Sequence, residues 1–597
     1  MKNKRFSDKL YWSLPALMFI VAETVMGNLA YIDPLCVVWN LLIYYMLYLG
    51  VFVIFRTTKI GWPILNVVLY LLALVEYFVI SFRERPAMFW DVLAIRTAMT
   101  VSANYNFTIT PLLVLTFFVL MVLSVWAWKR PKRLDIRNGW FKPIVLWSMG
   151  SIGFMSLLFG VIAPKFNLDV PMWDPVVSFE REGVVLSSVL SFKAALVPKP
   201  KDYSVEEAEQ LVEQFYGVPE RNAAQTVPTN VICIMNESFS DLRLFNELSE
   251  DRSFQTDRLF LEFYDRLSED SNAQKGNLYV PVFGAMTANS EYEFLTGNSC
   301  AFVPQGSIPY QFYTKPGDNS LAKMFGDQGY ETIAMHPYPG YNWNRTEAYE
   351  NLGFDRFLDQ EFYDGLEMEF SKPRDYMSDR SDYDAILHLL KEKEEDEKLF
   401  IFNVTMQNHG GFEVAELEST VHVTTLNGED CAGRYPKADQ YLTLIDMSDE
   451  ALAYFLGELK QLEEPTMVVM FGDHQPSVET EFYENLYGMR WTEVPGEQKI
   501  RSFKTPYMIW TNYDRDTTEL GDMSAFMLGS QVLEEAGIAQ TGLFAEADLL
   551  MENYDAVHAM GILDKQGKFY DGREQGIHDQ FSDIRAFHIL QYYEIFE

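Results

Sequence analysis

The chain has 597 residues and a formal net charge of −36 at pH 7. Residues 1–200 carry 19 Lys/Arg against 11 Asp/Glu, whereas residues 201–597 carry 29 against 73, a net charge of −44. This acidity argues against nucleic-acid binding, which needs a basic surface. The length predicts more than one domain.

Five apolar stretches open the chain, each close to the about 20 residues that a helix needs to cross a bilayer. A soluble protein with buried helices is the alternative, but the near absence of charge inside the stretches favours a transmembrane domain of five helices over 1–163. The first stretch is not predicted to be a cleaved signal peptide, because a second span follows it directly. The stretches cover 11–31, 36–55, 62–82, 110–128 and 143–163.

Lysine and arginine are biased to one side of these spans. The N-terminus and the second and fourth connections carry 12 of them together, and the first and third connections carry 3. This bias predicts a cytoplasmic N-terminus. With five spans, the chain after about residue 164 then lies outside the cell, as part of a multi-pass membrane protein.

Residues 164–227 are predicted to form a connector, which prolines interrupt and in which an apolar segment at 183–197 lies on the membrane. From 228 to 597, short β-rich runs alternate with helical segments, which predicts an α/β domain with a mixed central sheet. A smaller C-terminal part is expected from about residue 500. None of the cysteines forms a CxxC pair, so a zinc ribbon is not predicted, and the sequence leaves open whether Cys300 and Cys431 pair.

Four apolar runs each end near a residue that can bind a metal or a phosphate. In open α/β sheets, ligands bind beyond the carboxyl ends of the strands. An Asp-His pair supplies oxygen and nitrogen to one divalent metal, although a single pair could equally be structural. Four strands that each end in such a residue at one edge of the sheet favour a functional site over a structural role. The runs and residues are 230–235 before Glu237, 330–335 before His336, 399–405 before His409, and 466–469 before Asp473 and His474.

Thr287 opens a predicted amphipathic helix that Gly297 ends. The free N–H groups and the dipole at the start of a helix favour an anion such as phosphate. An ordinary threonine N-cap, with Ser290 or Glu291 completing a capping box, is the alternative. Beside the four strand ends we favour Thr287 as a hydroxyl nucleophile that a metal activates.

The loop that follows His336 contains Trp343 and Arg345. Arginine is suited to bidentate phosphate contact, and Trp343 can cover a group of the size of glycerol. The alternative is an ordinary loop with a surface arginine and a packed tryptophan.

These motifs, in this order, resemble the lipoteichoic acid synthases, which are membrane-anchored phosphoglycerol transferases of the alkaline phosphatase/sulfatase superfamily. The resemblance implies that one divalent metal, usually manganese, is held by Glu237, Thr287, Asp473 and His474, with Thr287 as the catalytic nucleophile. It implies substrate contacts at His336, Trp343, Arg345 and His409. The matching parts are the five spans, NESFSD at 236–241, MTANSEYEFLTG at 286–297, the H…WNR loop at 336–345, NHGGF at 408–412 and GDH at 472–474.

The implied reaction moves glycerophosphate from phosphatidylglycerol to a lipid-anchored glycerol or a glycolipid through a covalent threonine intermediate, as in lipoteichoic acid synthesis by a Gram-positive bacterium. Magnesium and zinc are alternatives to manganese. A phosphoethanolamine transferase, a phosphodiesterase and a non-catalytic metal-binding receptor are the alternative functions.

Thr287 does not stand in the C/S-x-P-x-R motif of true sulfatases, which disfavours sulfate ester hydrolysis. Segment 413–438 is predicted to be an insertion after the His409 loop.

Overall fold

The computed structural model describes residues 2–83, 86–87, 108–134, 141–166, 168, 175–194, 197, 199–216, 226–247, 252–304, 306–515, 520–574 and 576–597. The chain divides into two compact units. The first contains the described residues between 2 and 194, and the second contains the described residues from 197 to 597. The described part of the first unit is helical, and the second unit is built around a mixed sheet.

Long apolar helices dominate the first unit. Four segments are long and apolar enough to cross a membrane, and they agree with the second to fifth predicted spans: Pro34–Phe55, Thr58–Ser81, Pro111–Lys129 and Phe141–Ile162. The helices are α1 (Lys2–Met26), α2 (Pro34–Phe55), α3 (Thr58–Arg83), α4 (Pro111–Lys129), α5 (Phe141–Leu157), α6 (Ala163–Phe166), α7 (Pro175–Glu182) and α8 (Val184–Ala194).

The first predicted span, at 11–31, differs from the other four. Its apolar helical part is limited to Tyr11–Met26, because charged residues precede it and Gly27 follows it in the left-handed conformation (φ 78°). Leu14 is nonetheless fully buried in the core of the unit. The count of five spans is therefore not confirmed, and neither is the orientation that depends on an odd number.

The segment at 183–194 packs into the first unit. Helix α8 buries Leu186 completely in the same apolar cluster as the long helices. Two polar side chains bind the amino end of α8. Glu23 accepts a hydrogen bond from the N–H of Val184 (3.0 Å), and Asn40 accepts one from the N–H of Leu186 (3.0 Å). Other parts of the predicted connector lie outside the described residues: 167, 169–174, 195–196, 198 and 217–225.

An eight-stranded mixed sheet forms the centre of the second unit, in the order β11-β3-β10-β9-β1-β6-β4-β5. Strands β9, β1, β6, β4 and β5 are parallel, and β10 is antiparallel to β9 and β3. The predicted α/β architecture with a mixed sheet is confirmed. The strands are β1 (Asn230–Asn236), β2 (Phe254–Thr256), β3 (Ala273–Tyr279), β4 (Tyr330–Met335), β5 (Arg356–Leu358), β6 (Lys398–Val404), β7 (Val423–Leu426), β8 (Glu429–Asp430), β9 (Thr466–Gly472), β10 (Lys504–Thr511), β11 (Met523–Ser524), β12 (Tyr554–His558), β13 (Gly561–Asp564) and β14 (Phe569–Asp571).

Helices cover this sheet, so its central strands are buried along their whole length. Successive side chains of a strand point to opposite faces, and Val231 and Cys233 of β1 join a core with Phe294 and Leu295. The helices of the unit are α9 (Val205–Phe215), α10 (Glu262–Arg266), α11 (Thr287–Thr296), α12 (Pro309–Phe312), α13 (Leu321–Gly326), α14 (Arg345–Asn351), α15 (Gln360–Gly365), α16 (Asp379–Glu392), α17 (Pro436–Leu459), α18 (Thr480–Tyr487), α19 (Gly496–Lys499), α20 (Ala525–Glu535), α21 (Leu543–Met551) and α22 (Ser582–Phe596).

The chain after residue 500 does not begin a separate part, contrary to the expectation from sequence. Strand β10 lies inside the central sheet between β3 and β9. Its residues Tyr507–Trp510 are apolar and fully buried, which suits an interior strand. A small antiparallel sheet does follow, but it comprises only β12, β13 and β14 and begins at Tyr554.

The predicted insertion at 413–438 contributes two strands to a second small sheet. Strands β7 and β8 form a hairpin, and β7 also pairs with β2. Asn427 and Gly428 both have positive φ at the turn (54° and 78°), as a two-residue hairpin requires. No disulfide links the four cysteines, all of which are buried and lie within the described residues.

Glu546 on α21 is a buried carboxylate in this fold. It is 3 % exposed, and its Oε2 atom has no hydrogen-bond partner among the described residues. Burial, and then the charges of Glu594 and Asp583, raise its pKa to about 9. Between its ordinary pKa near 4.5 and this value the folded state binds the proton more tightly than the unfolded state does. Folding is therefore increasingly disfavoured as the pH rises through that window.

We expect Glu546→Gln to raise the free energy of unfolding by on the order of 4 kcal/mol at pH 8 and by less than about 1 kcal/mol at pH 5. Urea unfolding of the full chain at both pH values, followed by tryptophan fluorescence, measures this difference. Glu552→Gln, an exposed position just after the same helix, is the control and should change neither value. An equal gain at both pH values would contradict the buried-charge explanation.

Candidate metal and nucleophile site

The carboxyl ends of β9, β1, β6 and β4 lie side by side, because these strands are adjacent and parallel. Asn236 at the end of β1 pairs in register with Gly472 at the end of β9. Glu237, His336 and the Asp473-His474 pair therefore leave the same edge of the sheet, and His409 follows a few residues after β6.

Three of these side chains converge into one cluster that can hold a metal ion. Glu237, Asp473 and His474 each offer a ligand atom, and these atoms lie within 4.8 Å of one another. The Nε2 atom of His474 lies 3.2 Å from Asp473 Oδ2 and 3.6 Å from Glu237 Oε1. All three residues are buried.

Local backbone geometry fixes the cluster. A Cβ on Gly472 would overlap the carbonyl oxygen of Phe239, so only glycine lets the two strand ends approach this closely. Ser238 has a positive φ (50°), and its N–H donates to Asp473 Oδ1 (2.7 Å). The Nδ1–H of His474 donates to the carbonyl oxygen of Gln475 (3.0 Å). That bond leaves the Nε2 lone pair facing the two carboxylates.

The electrostatics of the cluster fit a bound cation. Burial, and then the charge of Asp473, raise the pKa of Glu237 well above its usual range, and burial raises the pKa of Asp473 as well. Asp473 Oδ2 is buried and has no hydrogen-bond partner among the described residues. Two carboxylates and an imidazole are suitable ligands for manganese, magnesium or zinc. Such an ion would hold both carboxyl groups in the ionised form.

Thr287 joins this cluster from the first residue of α11. Its hydroxyl donates to Glu237 Oε2 (3.3 Å), and Met286 before it has the left-handed conformation (φ 73°). The alternative capping box does not form, because its other members bind elsewhere. Ser290 Oγ donates to the carbonyl oxygen of Asp473 (2.6 Å), and the Glu291 carboxylate pairs with an arginine.

That arginine is Arg345, which the sequence analysis assigned to phosphate contact. Its Nε donates to Glu291 Oε1 (3.0 Å), and its Nη2 donates to the same oxygen (2.5 Å). Its Nη1 lies 3.2 Å from Nε2 of His336, whose Nδ1–H donates to the carbonyl oxygen of Val404 (2.8 Å). Both nitrogens of His336 are therefore engaged, and burial, followed by the charge of Arg345, holds its pKa well below the usual range.

His409 lies in the loop after β6, and Trp343 lies in the turn just before α14 and packs against the hydrophobic core. Burial, and then the charges of Arg374 and His474, lower the pKa of His409 to about 3, and its buried Nδ1 has no hydrogen-bond partner among the described residues. His409 packs against Tyr376, with ring centroids 5.1 Å apart. Trp343 is half-buried and has a positive φ (57°), a backbone strain that is common at functional sites.

Arg374 supports the His409 loop and was not predicted from the sequence. Its guanidinium donates to the carbonyl oxygens of Gln407 (2.8 Å), His409 (2.6 Å) and Gly411 (3.0 Å). These acceptors are backbone atoms some 35 positions along the chain, so no side-chain motif signals them.

A buried polar network beneath the strand ends was also missed. Ser448 Oγ donates to Asp379 Oδ2 (2.6 Å), and Asn236 Nδ2 donates to the same oxygen (2.7 Å). Asn408 Nδ2 donates to Asn236 Oδ1 (3.0 Å). The network ties the residues before Glu237 and His409 to the start of α16. Its members are separated by up to 212 positions, so their proximity cannot be read from local patterns.

The profile of the family described as "Sulfatase" matches residues 229–538, which is more than half of the chain. The chain belongs to the sulfatase family. The site lies within the matched residues, at the edge of the sheet where the strands β1 and β9 end.

Two relatives of known name are similar in sequence to this chain. It is 29% identical over 419 residues to the putative cyclic beta-1,2-glucan modification protein of Rhizobium meliloti, a match that covers 69% of this chain and 61% of the relative. It is 29% identical over 209 residues to the lipoteichoic acid synthase of Staphylococcus saprophyticus, which covers 33% of this chain and 29% of that protein. The resemblance to lipoteichoic acid synthases is confirmed. Both matches span less than two thirds of the relative, and relatives from Rhizobium as well as Staphylococcus do not support a Gram-positive source.

A solved structure has the same overall fold over most of this chain. The integral membrane protein lipooligosaccharide phosphoethanolamine transferase A from Neisseria meningitidis aligns with a TM-score of 0.53 and 13% sequence identity. The alignment covers 90% of this chain and 98% of that one. This similarity concerns the fold, in which apolar helices precede a sulfatase-like domain.

We expect the purified full chain to bind one divalent metal ion and Asp473→Asn to lose it, because the neutral amide cannot replace a carboxylate beside Glu237. Elemental analysis after dialysis against manganese measures the metal content. Asp382→Asn is the matched control, since Asp382 is a buried carboxylate that binds Tyr363 and Asn403 instead. Full metal content in Asp473→Asn would contradict the assignment.

Proposed function

We propose that the chain is a metal-dependent phosphoglycerol transferase that takes glycerophosphate from phosphatidylglycerol and passes it to a hydroxyl acceptor. The observation that carries the proposal is the contact between the Thr287 hydroxyl and Glu237, in a cluster with Asp473 and His474 at the strand ends of a sulfatase-family sheet. The donor and the acceptor follow from the resemblance to lipoteichoic acid synthases.

Glu237, Asp473, His474 and the Thr287 hydroxyl are the proposed metal ligands, with manganese as the expected ion and magnesium or zinc as alternatives. When bound, the ion supplies positive charge that lowers the pKa of a hydroxyl and attracts a phosphoryl oxygen.

Thr287 is the proposed nucleophile. Its Oγ1 forms a bond to phosphorus, the bond from phosphorus to the diacylglycerol oxygen breaks, and the threonine proton ends on that oxygen. The glycerophosphoryl-threonine that remains splits one hard step into two. An acceptor hydroxyl then attacks phosphorus, the bond to Oγ1 breaks, and Thr287 regains a proton.

His409 is the better candidate of the two histidines for moving these protons. Both histidines are neutral because their pKa values are lowered, but His336 uses both nitrogens in hydrogen bonds. The buried Nδ1 of His409 has no hydrogen-bond partner among the described residues. His336, Trp343 and Arg345 are proposed to contact the glycerophosphate headgroup, with Arg345 directing an N–H toward a phosphoryl oxygen.

The proposed setting is the outer face of a cell membrane, with a five-helix domain over 1–163, a connector over 164–227 and the catalytic domain over 228–597. Attachment to the bilayer raises the effective concentration of lipid around the domain. This gain helps to offset the repulsion between anionic lipid and a part of the chain with a net charge of −44.

Two acceptor classes follow from the relatives. A lipid-linked glycerol phosphate or a glycolipid is the acceptor that lipoteichoic acid synthesis implies. A cyclic beta-1,2-glucan is the second candidate, which the name of the Rhizobium relative suggests, and that match covers 69% of this chain. Phosphoethanolamine as the transferred group and water as the acceptor are the nearest alternative reactions.

We expect Thr287→Ala to lower the rate of diacylglycerol release from phosphatidylglycerol by roughly a thousandfold or more, because the nucleophile is lost. Release from mixed micelles by the purified full chain, with and without a chelator, is the measurement. Thr296→Ala at the other end of α11 is the control and should keep most of the activity. Release by Thr287→Ala at the parent rate would exclude the nucleophile, and no metal-dependent release by the parent would favour a binding receptor.

The acceptor is tested by supplying radiolabelled phosphatidylglycerol with either a glycolipid primer or a cyclic glucan. Label that moves to a lipid product on thin-layer chromatography supports the glycolipid acceptor. Label that moves to the water-soluble glucan supports the second candidate. Release of free glycerol phosphate with neither product would identify water as the acceptor and the enzyme as a phosphodiesterase.

A further inference from the structure

Glu291 lies on the same helix as the nucleophile and has no assigned role. It follows Thr287 by four residues in α11, so the two side chains project from the same face, one turn apart. Glu291 is 0 % exposed. A carboxylate is rarely buried this completely unless it is paired, so its partners indicate what it does.

Those partners both come from the first two turns of helix α14. Arg345 donates Nε and Nη2 to the Glu291 carboxylate, and the side chains of this ion pair are 3 % and 0 % exposed. The hydroxyl of Tyr349 donates to the other carboxylate oxygen (2.6 Å). Tyr349 is one helical turn after Arg345 on α14, so a single carboxylate binds both side chains and fixes the start of that helix.

The bond network continues from Arg345 into the sheet. Its Nη1 donates to Nε2 of His336, and His336 donates through Nδ1 to the carbonyl oxygen of Val404 at the end of β6. A guanidinium is planar, so two bonds from Nε and Nη2 to one carboxylate fix the direction of Nη1 as well. Nη1 carries a second N–H that these contacts do not use.

We infer that Glu291 is a positioning residue, which holds the Arg345 guanidinium against His336 so that the remaining Nη1 N–H is directed at a phosphoryl oxygen of the donor. The carboxylate also offsets the positive charge of Arg345, so the arginine contributes a fixed direction more than a free charge. This inference rests on the proposed function for the substrate, and on the contacts above for the geometry.

The functional test is a double-mutant cycle in the full chain, with diacylglycerol release from phosphatidylglycerol as the readout. We expect Glu291→Gln to lower kcat/KM by about tenfold or more, and Glu291→Asp, which keeps the charge, to lower it less. The double variant Glu291→Gln with Arg345→Met should be within about twofold of Arg345→Met alone, because Glu291 acts through the arginine.

Glu535→Gln is the matched control, since Glu535 forms another largely buried ion pair, with Arg515 (2.5 Å), and belongs to α20. It should keep parent kcat/KM even if its thermal unfolding midpoint falls. The inference is overturned if Glu291→Gln keeps parent kcat/KM. It is also overturned if the double variant shows the product of the two single losses, or if the loss in each variant follows its unfolding midpoint.

A second measurement does not depend on activity and so separates this inference from the proposed function. In a crystal structure of Glu291→Gln, or of Glu291→Asp where the first variant does not fold, we expect the Arg345 guanidinium to have moved out of hydrogen-bonding distance of His336. An unchanged contact overturns the inference, whatever the parent enzyme does. A moved guanidinium with a parent that releases no diacylglycerol supports the positioning role and refutes the proposed substrate.

Discussion

Two carboxylates, Glu237 and Asp473, are buried side by side where the parallel strands β1 and β9 end. The strand ends, the network around Asp379 and helix α11 all contact this pair or the residues next to it. Burying one unpaired carboxylate is costly, and burying two in one cluster is more so, because they repel each other. Within the described residues Asp473 Oδ2 has no hydrogen-bond partner, and it lies 3.2 Å from Nε2 of His474. A divalent cation between these groups would offset the cost, and this is the physical basis of the proposed metal site.

This constraint explains features that are otherwise unconnected. Gly472 has no side chain, so the carbonyl oxygen of Phe239 can approach its backbone. This close approach brings the chain after β1 against the end of β9. The polar network around Asp379 holds the backbone before Glu237 in place. Helix α11 delivers Thr287 to the cluster at one end of its face and, four residues later, fixes Arg345 through Glu291. The proposed nucleophile and the arginine are thereby oriented by the same helix.

The clustering of these residues could be predicted from sequence because each of them follows an apolar strand or opens a helix, and the fold retains those local elements. Parallel strands bring their carboxyl ends to one edge, so Glu237 and Asp473 could be placed together without knowledge of the distances. The contacts of Glu291 with Arg345 and with Tyr349 could not be predicted in this way. The spacing of four residues does predict that Thr287 and Glu291 share one helix face and that Arg345 and Tyr349 share another. Arg374 binds backbone carbonyl oxygens, which leave no trace in a side-chain pattern.

The fold was predictable to a similar degree. The mixed sheet follows from runs of β-branched and aromatic residues, whereas the position of β10 inside it depends on pairing with β3, about 230 residues earlier. The apolar part of the first predicted span, Tyr11–Met26, is shorter than the other four because charged residues precede it and Gly27 ends the helix, and hydropathy alone does not weigh these local signals. Long-range pairing and helix termination thus account for the two main differences.

The central claim is that Thr287 becomes covalently bonded to the transferred group. Its most direct test is to mix the full chain with phosphatidylglycerol and manganese, quench with acid, digest, and analyse the peptide that contains residues 286–297 by mass spectrometry. We expect a glycerophosphoryl adduct on Thr287 that is absent without metal and disappears when an acceptor is added. An active enzyme whose Thr287 never carries the adduct, under conditions in which diacylglycerol is released, would contradict it.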